Sequence, residues 1–237
     1  GDQLDEFVRQ FELPADPAFV PKGSSVFDEC GEFRREIAEE MCARAGITEQ
    51  QIRGEMKAVE IEKGVQNWEW VQALIRLLDR NLPGVSQGTI EVFLRDVYLY
   101  VKRDVVRNAI DAIVADKLKP DTAVVVGHSL GSVVAYNVLK AAGTKVPLYV
   151  TVGSPLGIRA IRKALSPIEN PVAQWYNAFD ERDVVALYPL DGKNFDVSPA
   201  IANNDKVKNW TDNRHGIVGY LDDANVAQEI YSGLLTS

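Results

Sequence analysis

The sequence predicts an α/β protein, a doubly wound, mostly parallel sheet flanked by helices. Three observations carry that prediction. Short runs rich in β-branched and aromatic residues, at 122–126, 147–152 and 172–179, are separated by segments with apolar residues at helical spacing. The first run ends in Gly127-His128-Ser129-Leu130-Gly131, a turn that leads at once into a helix pattern. The 237 residues, 46% hydrophobic and 25% charged, suffice for one such domain with a sizeable core. No repeat, low-complexity tract or composition break divides the chain, so 1–237 reads as a single domain.

Taken in order, residues 1–28 mix charge with Pro14, Pro17 and Pro21, and read as a short helix near 4–11 followed by irregular chain. Phe33, Ile37, Ala38, Met41, Cys42 and Ala45 then recur at helical spacing, with Gly46 as the stop. Residues 56–61 read as a strand of imperfect alternation. A helix follows from Asn67, its N-cap, through Trp68, Val71, Leu74, Ile75 and Leu78, until Pro83-Gly84 breaks it. Residues 89–117 are helical almost throughout, as one bent helix or two. The whole of about 64–117 is thus helical and able to contribute a cap.

Pro120-Asp121 introduces the strand at 122–126. The helix after Ser129 would bury Leu130, Val133, Val134, Val138 and Ala141 and stop near Gly143. The strand at 147–152, a short helix at 158–165 and a third strand at 172–179 come next. A strand–helix–strand unit of this length implies parallel pairing through a right-handed crossover. Residues 189–213 form a long polar excursion. A last helical stretch carries Ile217, Tyr220, Leu221, Val226, Ile230 and Leu234.

Composition excludes several function classes. A net charge of −8 opposes nucleic-acid binding and gives no polybasic help on anionic membranes. No apolar run is long enough to span a membrane, and no signal-peptide pattern opens the chain, although it begins at Gly1 rather than methionine. Cys30 and Cys42 make no disulfide framework, and Cys42 falls on the apolar helix face; a cytoplasmic setting is the expectation. Two histidines and no Cys/His cluster predict no metal site, and nothing predicts a cofactor. There is no G-x-x-x-x-G-K-[ST], and Gly127–Gly131 lacks dinucleotide-loop spacing.

The chemistry-bearing residues can be found by elimination. Ser129, held between Gly127 and Gly131 where a Cβ at either flank would clash, is the candidate nucleophile. The backbone N–H of Leu130, opening the following helix, is placed to stabilise an oxyanion. A serine hydroxyl needs a base to take its proton. His128 abuts Ser129 in the turn and points away from the hydroxyl, which makes it a turn or supporting residue. His215, on a polar loop after the last strand, is left as the base. The orienting carboxylate comes from Asp180, Glu181 or Asp183 at the end of the third strand. Asp183 is preferred because the apolar Val184-Val185-Ala186 would seat it beneath His215; Asp180 is the runner-up.

Four blocks resemble bacterial α/β-hydrolases of the lipase/esterase-like group. They are Val126-Gly127-His128-Ser129-Leu130-Gly131-Ser132, Thr151-Val152-Gly153-Ser154-Pro155-Leu156, Asn177-Ala178-Phe179-Asp180-Glu181-Arg182-Asp183-Val184-Val185 and Arg214-His215-Gly216-Ile217-Val218-Gly219-Tyr220-Leu221. The similarity extends upstream through Phe93–Tyr100 towards Phe33, with only the serine, aspartate and histidine blocks specific. It implies the α/β-hydrolase fold, the triad Ser129, Asp183 and His215, and Leu130 N–H as one oxyanion donor. The expected activity is hydrolysis of a small-molecule or lipid carboxylic ester, or a thioester, through an acyl-serine; acyl transfer would use the same triad. One departure is plain. Such hydrolases open with an apolar strand ending in His-Gly, whose loop supplies the second oxyanion donor, and no comparable strand precedes residue 55. Either that strand is missing from this chain or the second donor comes from elsewhere. The alternative function is therefore a catalytically impaired binding or interaction module. The apolar segment around Trp68, Trp70, Leu74, Leu77 and Leu78 would then cap the site, meet a partner or pack in the core.

Overall fold

The computed structural model describes residues 25–57, 66–82, 84, 86–143 and 146–235. The chain is α/β. Its centre is a four-stranded sheet, all parallel, in the order β1 (Val124–His128), β2 (Leu148–Val152), β3 (Gln174–Ala178) and β4 (Ala202–Asn204). Strand periodicity divides the side chains of β2 between two cores. Tyr149 joins the larger core with Trp175 of β3, whereas Leu148, Val150 and Val152 face the smaller one with Tyr176, Ala178, Tyr220 and Val226. Helices cover both faces.

The larger core is built by α1 (Ser25–Arg44), α2 (Glu49–Lys57), α3 (Gln66–Asn81), α4 (Gln87–Lys102), α5 (Asp104–Ala115), α6 (Leu130–Ala142) and α7 (Arg159–Ala164). Ile37, Met41, Leu74, Leu78, Leu94 and Val97 lock α1, α3 and α4 together. Cys30 and Cys42 lie among them, and burial pushes the Cys42 thiol up to about 12. The apolar segment of α3 thus spends Leu74, Leu77 and Leu78 on core packing, while the Trp70 indole N–H donates to Glu39 at 3.0 Å. On the other face lie α8 (Ile217–Leu221) and α9 (Ala224–Leu235), divided at Asp222-Asp223.

Several element boundaries differ from the sequence expectation. Met56 and Lys57, expected to open a strand, end α2; the rest of 58–61 lies outside the described residues, as does the short helix near 4–11. Helix α1 already begins at Ser25, inside the stretch expected to be irregular. Asn67 is the second residue of α3 rather than its N-cap. The 89–117 region is two helices, because Arg103 is extended at φ −116°, ψ 100°; its side chain turns to Tyr98 Oη while Arg107 reaches the carbonyl of Val101. Gly46 and Gly143 end their helices as expected, at φ +74° and +64°. Ala141 is exposed and Leu130 only half-buried, since Leu130 packs against the larger core on one side and lines the site cavity on the other. The polar excursion contains β4, a strand of three residues whose main-chain pairing with β3 is reinforced by side chains: Asn203 Oδ1 accepts from Asn177 Nδ2 at 2.9 Å, and Asn204 Nδ2 donates to Tyr176 Oη at 2.9 Å.

Candidate active site

The carboxyl ends of the strands supply the functional residues, as parallel sheets generally do. Ser129 follows β1 with φ 52°, ψ −131°, a strained conformation for a residue with a side chain. Three contacts hold it there. Ser129 N–H donates to Val152 O at 3.2 Å, Ser132 N–H returns to Ser129 O at 2.9 Å, and the Ser132 hydroxyl also donates to Ser129 O. Ser132 is itself paired with Ser154 at 2.7 Å, which ties the turn to the end of β2. A Cβ at Gly127 would lie 2.6 Å from Ser132 Cα, so that glycine is a steric requirement. At Gly131 the expectation fails: a Cβ there meets nothing within 4 Å. Its backbone has already entered α6 and points outward.

The three residues singled out from the sequence form one hydrogen-bonded chain. Ser129 Oγ donates to His215 Nε2 at 2.8 Å, and His215 Nδ1 donates to Asp183 Oδ2 at 2.7 Å. Asp183 is 1% exposed. Its Oδ1 accepts the backbone N–H groups of Val185 and Ala186 at 2.8 and 3.3 Å, so the apolar segment seats it through its backbone. Oδ2 accepts a second donor, the hydroxyl of Tyr220, at 2.6 Å. Burial, then the nearby Asp183 charge, raise the tyrosine's pKa well above its ordinary value, which keeps the hydroxyl a donor.

Asp180, the runner-up, does different work. Its Oδ2 accepts the backbone N–H of Asn209 at 2.8 Å and its Oδ1 that of Arg182 at 2.8 Å. Asn209, fully buried, is the hub of the histidine loop. Its side chain donates to Gly216 O at 2.8 Å and accepts from the N–H and hydroxyl of Thr211 at 3.1 and 2.5 Å. Arg214, at φ 57°, reaches back to Asn209 O, and Asn213 Oδ1 accepts the His215 N–H at 3.1 Å. Glu181 is exposed.

His128 turns away from the serine hydroxyl, as expected, and its destination is specific. Nε2 donates to the backbone carbonyl of His215 at 2.7 Å, and the two rings lie 4.7 Å apart, centroid to centroid. Burial first, then the neighbouring His215, hold its pKa below the usual imidazole value, so it is neutral near pH 7. Gly153 closes the arrangement at φ +58°. A Cβ there would lie 2.9 Å from the Tyr220 ring and 3.2 Å from both Asp183 Oδ2 and His215 Nδ1.

A cavity of about 240 Å³ opens beside Ser129, Leu130 and His215. Its apolar walls come from Met41 of α1, Ile90 and Phe93 of α4, and Val184 and Val185 after Asp183. The helical region therefore reaches the site through α4. Sequence reasoning missed Tyr220, Asn209 and the place of Met41 in this wall. The polar alternation Asn209, Thr211, Asn213 ahead of His215 is the signal that could have found the loop hub. Among the described residues no group of three or more His, Cys, Asp or Glu side chains could hold a metal ion. None of their helices is long and apolar enough to cross a membrane. Searches against family models, curated proteins and solved structures find no match to this chain.

Proposed function

We propose that this protein is a serine hydrolase with the α/β-hydrolase fold, cleaving a carboxylic ester or thioester through an acyl-Ser129 intermediate. The observation that carries the reading is the unbroken sequence of hydrogen bonds from Ser129 Oγ through His215 to Asp183. Ser129 Oγ attacks the carbonyl carbon while its proton passes to His215 Nε2. Asp183 holds the imidazole with Nδ1 protonated and stabilises the imidazolium. The N–H of Leu130, at the start of the thirteen-residue α6, donates to the developing oxyanion. His215 then protonates the departing alkoxide or thiolate. In the second half a water gives its proton to His215 and its oxygen to the acyl carbon, which returns Ser129 as the alcohol.

Two buried thiols and no disulfide between them fit a reducing, cytoplasmic setting. The alternative, a hydrolase-like binding module without turnover, has less support, because a vestigial site has no need of a fully seated Asp183. The test is labelling by a fluorophosphonate probe. Wild type is expected to gain one adduct on Ser129, and Ser129→Ala none. Labelling that persists in the variant would remove Ser129 as the nucleophile.

A further inference from the structure

The cavity beside Ser129 has two unlike ends. At the inner end Met41 and Ile90 are 1% and 2% exposed; at the outer end Val92 is 48% exposed and Thr89 is open to solvent. An acyl group stays bonded to Ser129 Oγ while the leaving group departs. The open end therefore suits the leaving group, and the closed end the acyl chain. We propose that the closed end is an acyl-binding site for an uncharged aliphatic chain of about four to eight carbons, with Met41 and Ile90 setting its length. This rests on the reading of Ser129 as nucleophile.

Size and charge both support it. At about 30 Å³ per heavy atom, the share of a water in the liquid, the whole cavity of 240 Å³ holds about eight atoms, which is the upper bound for a chain in its closed end. That volume is below the range of about 300 Å³ and upwards that takes drug-sized ligands. Among the described lining residues there is no lysine or arginine to receive a carboxylate at the chain's end. The carboxylate present, Asp96, is already paired with Arg95 at 2.9 Å, and a second carboxylate would lose its hydration against the apolar walls with no such cation to pair with. Apolar surface from Phe93, Val184 and Val185 favours methylene groups instead.

The experiment measures the rate of Ser129 labelling in the full chain by alkyl fluorophosphonates from ethyl to dodecyl. The rate is expected to rise about fourfold per methylene up to hexyl or octyl and to fall by dodecyl. Met41→Ala should move the optimum at least two carbons longer, and Ile90→Phe should move it to butyl or shorter with ethyl labelling retained. These opposite shifts separate pocket shape from general loss of stability. A probe ending in a carboxylate should label at least tenfold more slowly than its neutral homologue. A flat profile, one that climbs through dodecyl, an optimum unmoved in Met41→Ala, or equal labelling by the carboxylate probe would overturn the acyl site while leaving Ser129 as nucleophile. Absence of labelling by every probe would overturn the hydrolase reading itself, and the acyl site with it.

Discussion

The turn carrying Ser129 and the loop carrying His215 are held by opposite means. The turn is fixed by sterics and main-chain hydrogen bonds. Gly127 has no room for a Cβ, Ser129 takes a positive φ, and the hydroxyls of Ser132, Ser154 and Tyr149 reinforce the main-chain bonds. The loop is fixed by side chains. Asn209 alone makes or receives bonds to Gly216, Thr211, Arg214 and Asp180, and His128 pins the His215 carbonyl. A strained backbone needs particular residues at fixed offsets, whereas a hydrogen-bonded knot accepts many spellings. That difference decides where each region is fragile.

The largest expected contrast lies between the two aspartates three residues apart. Asp183→Asn should lower kcat on a p-nitrophenyl ester about 10⁴-fold, since the amide no longer favours the Nδ1-protonated tautomer. Asp180→Asn, which keeps an acceptor for Asn209, should cost less than about tenfold. Equal losses would mean that the orienting acid has been misassigned. A second contrast sets the turn against the loop. Gly127→Ala should destabilise by about 1–3 kcal/mol through forced movement of Ser132, whereas Gly131→Ala should be neutral or stabilising in denaturant melts. Asn209→Ala should cost about 1–3 kcal/mol by leaving buried loop groups unpaired. Gly127→Ala no more harmful than Gly131→Ala would contradict the steric account.

The smallest effect concerns pH. His128 has a folded pKa below its unfolded value of about 6.5, so the unfolded chain binds more protons there. Its contribution to stability is complete above that value and is lost as pH falls towards the folded pKa. His128→Gln, which can still donate to His215 O, should flatten the decline in stability below about pH 6.5. An unchanged slope would show that other groups govern the acid limb.

The same contrast explains what was legible in the sequence. The three longer strands, the glycine-flanked serine and the order Ser129, Asp183, His215 follow from apolar periodicity, a rigid turn and the scarcity of histidine. Strand β4 was not legible, because Ala202-Asn203-Asn204 has no apolar alternation and is held by asparagine bonds to β3 and Leu190. Tyr220 read as an apolar helix residue, and only three-dimensional packing brings its hydroxyl to Asp183. Between one bent helix and two at 89–117 the sequence does not choose, because helical spacing continues through Arg103; the structure has two. Gly131 shows the reverse error, a motif position assigned a steric duty that its surroundings do not impose.

Asp183 has four acceptor sites, and all four are filled: by Val185 and Ala186 on one oxygen, by His215 and Tyr220 on the other. Such a carboxylate has no lone pair left for solvent and no second orientation to visit. Every catalytic cycle would then begin from a single microstate, its disorder removed once, when the chain folds, instead of at each encounter with a substrate.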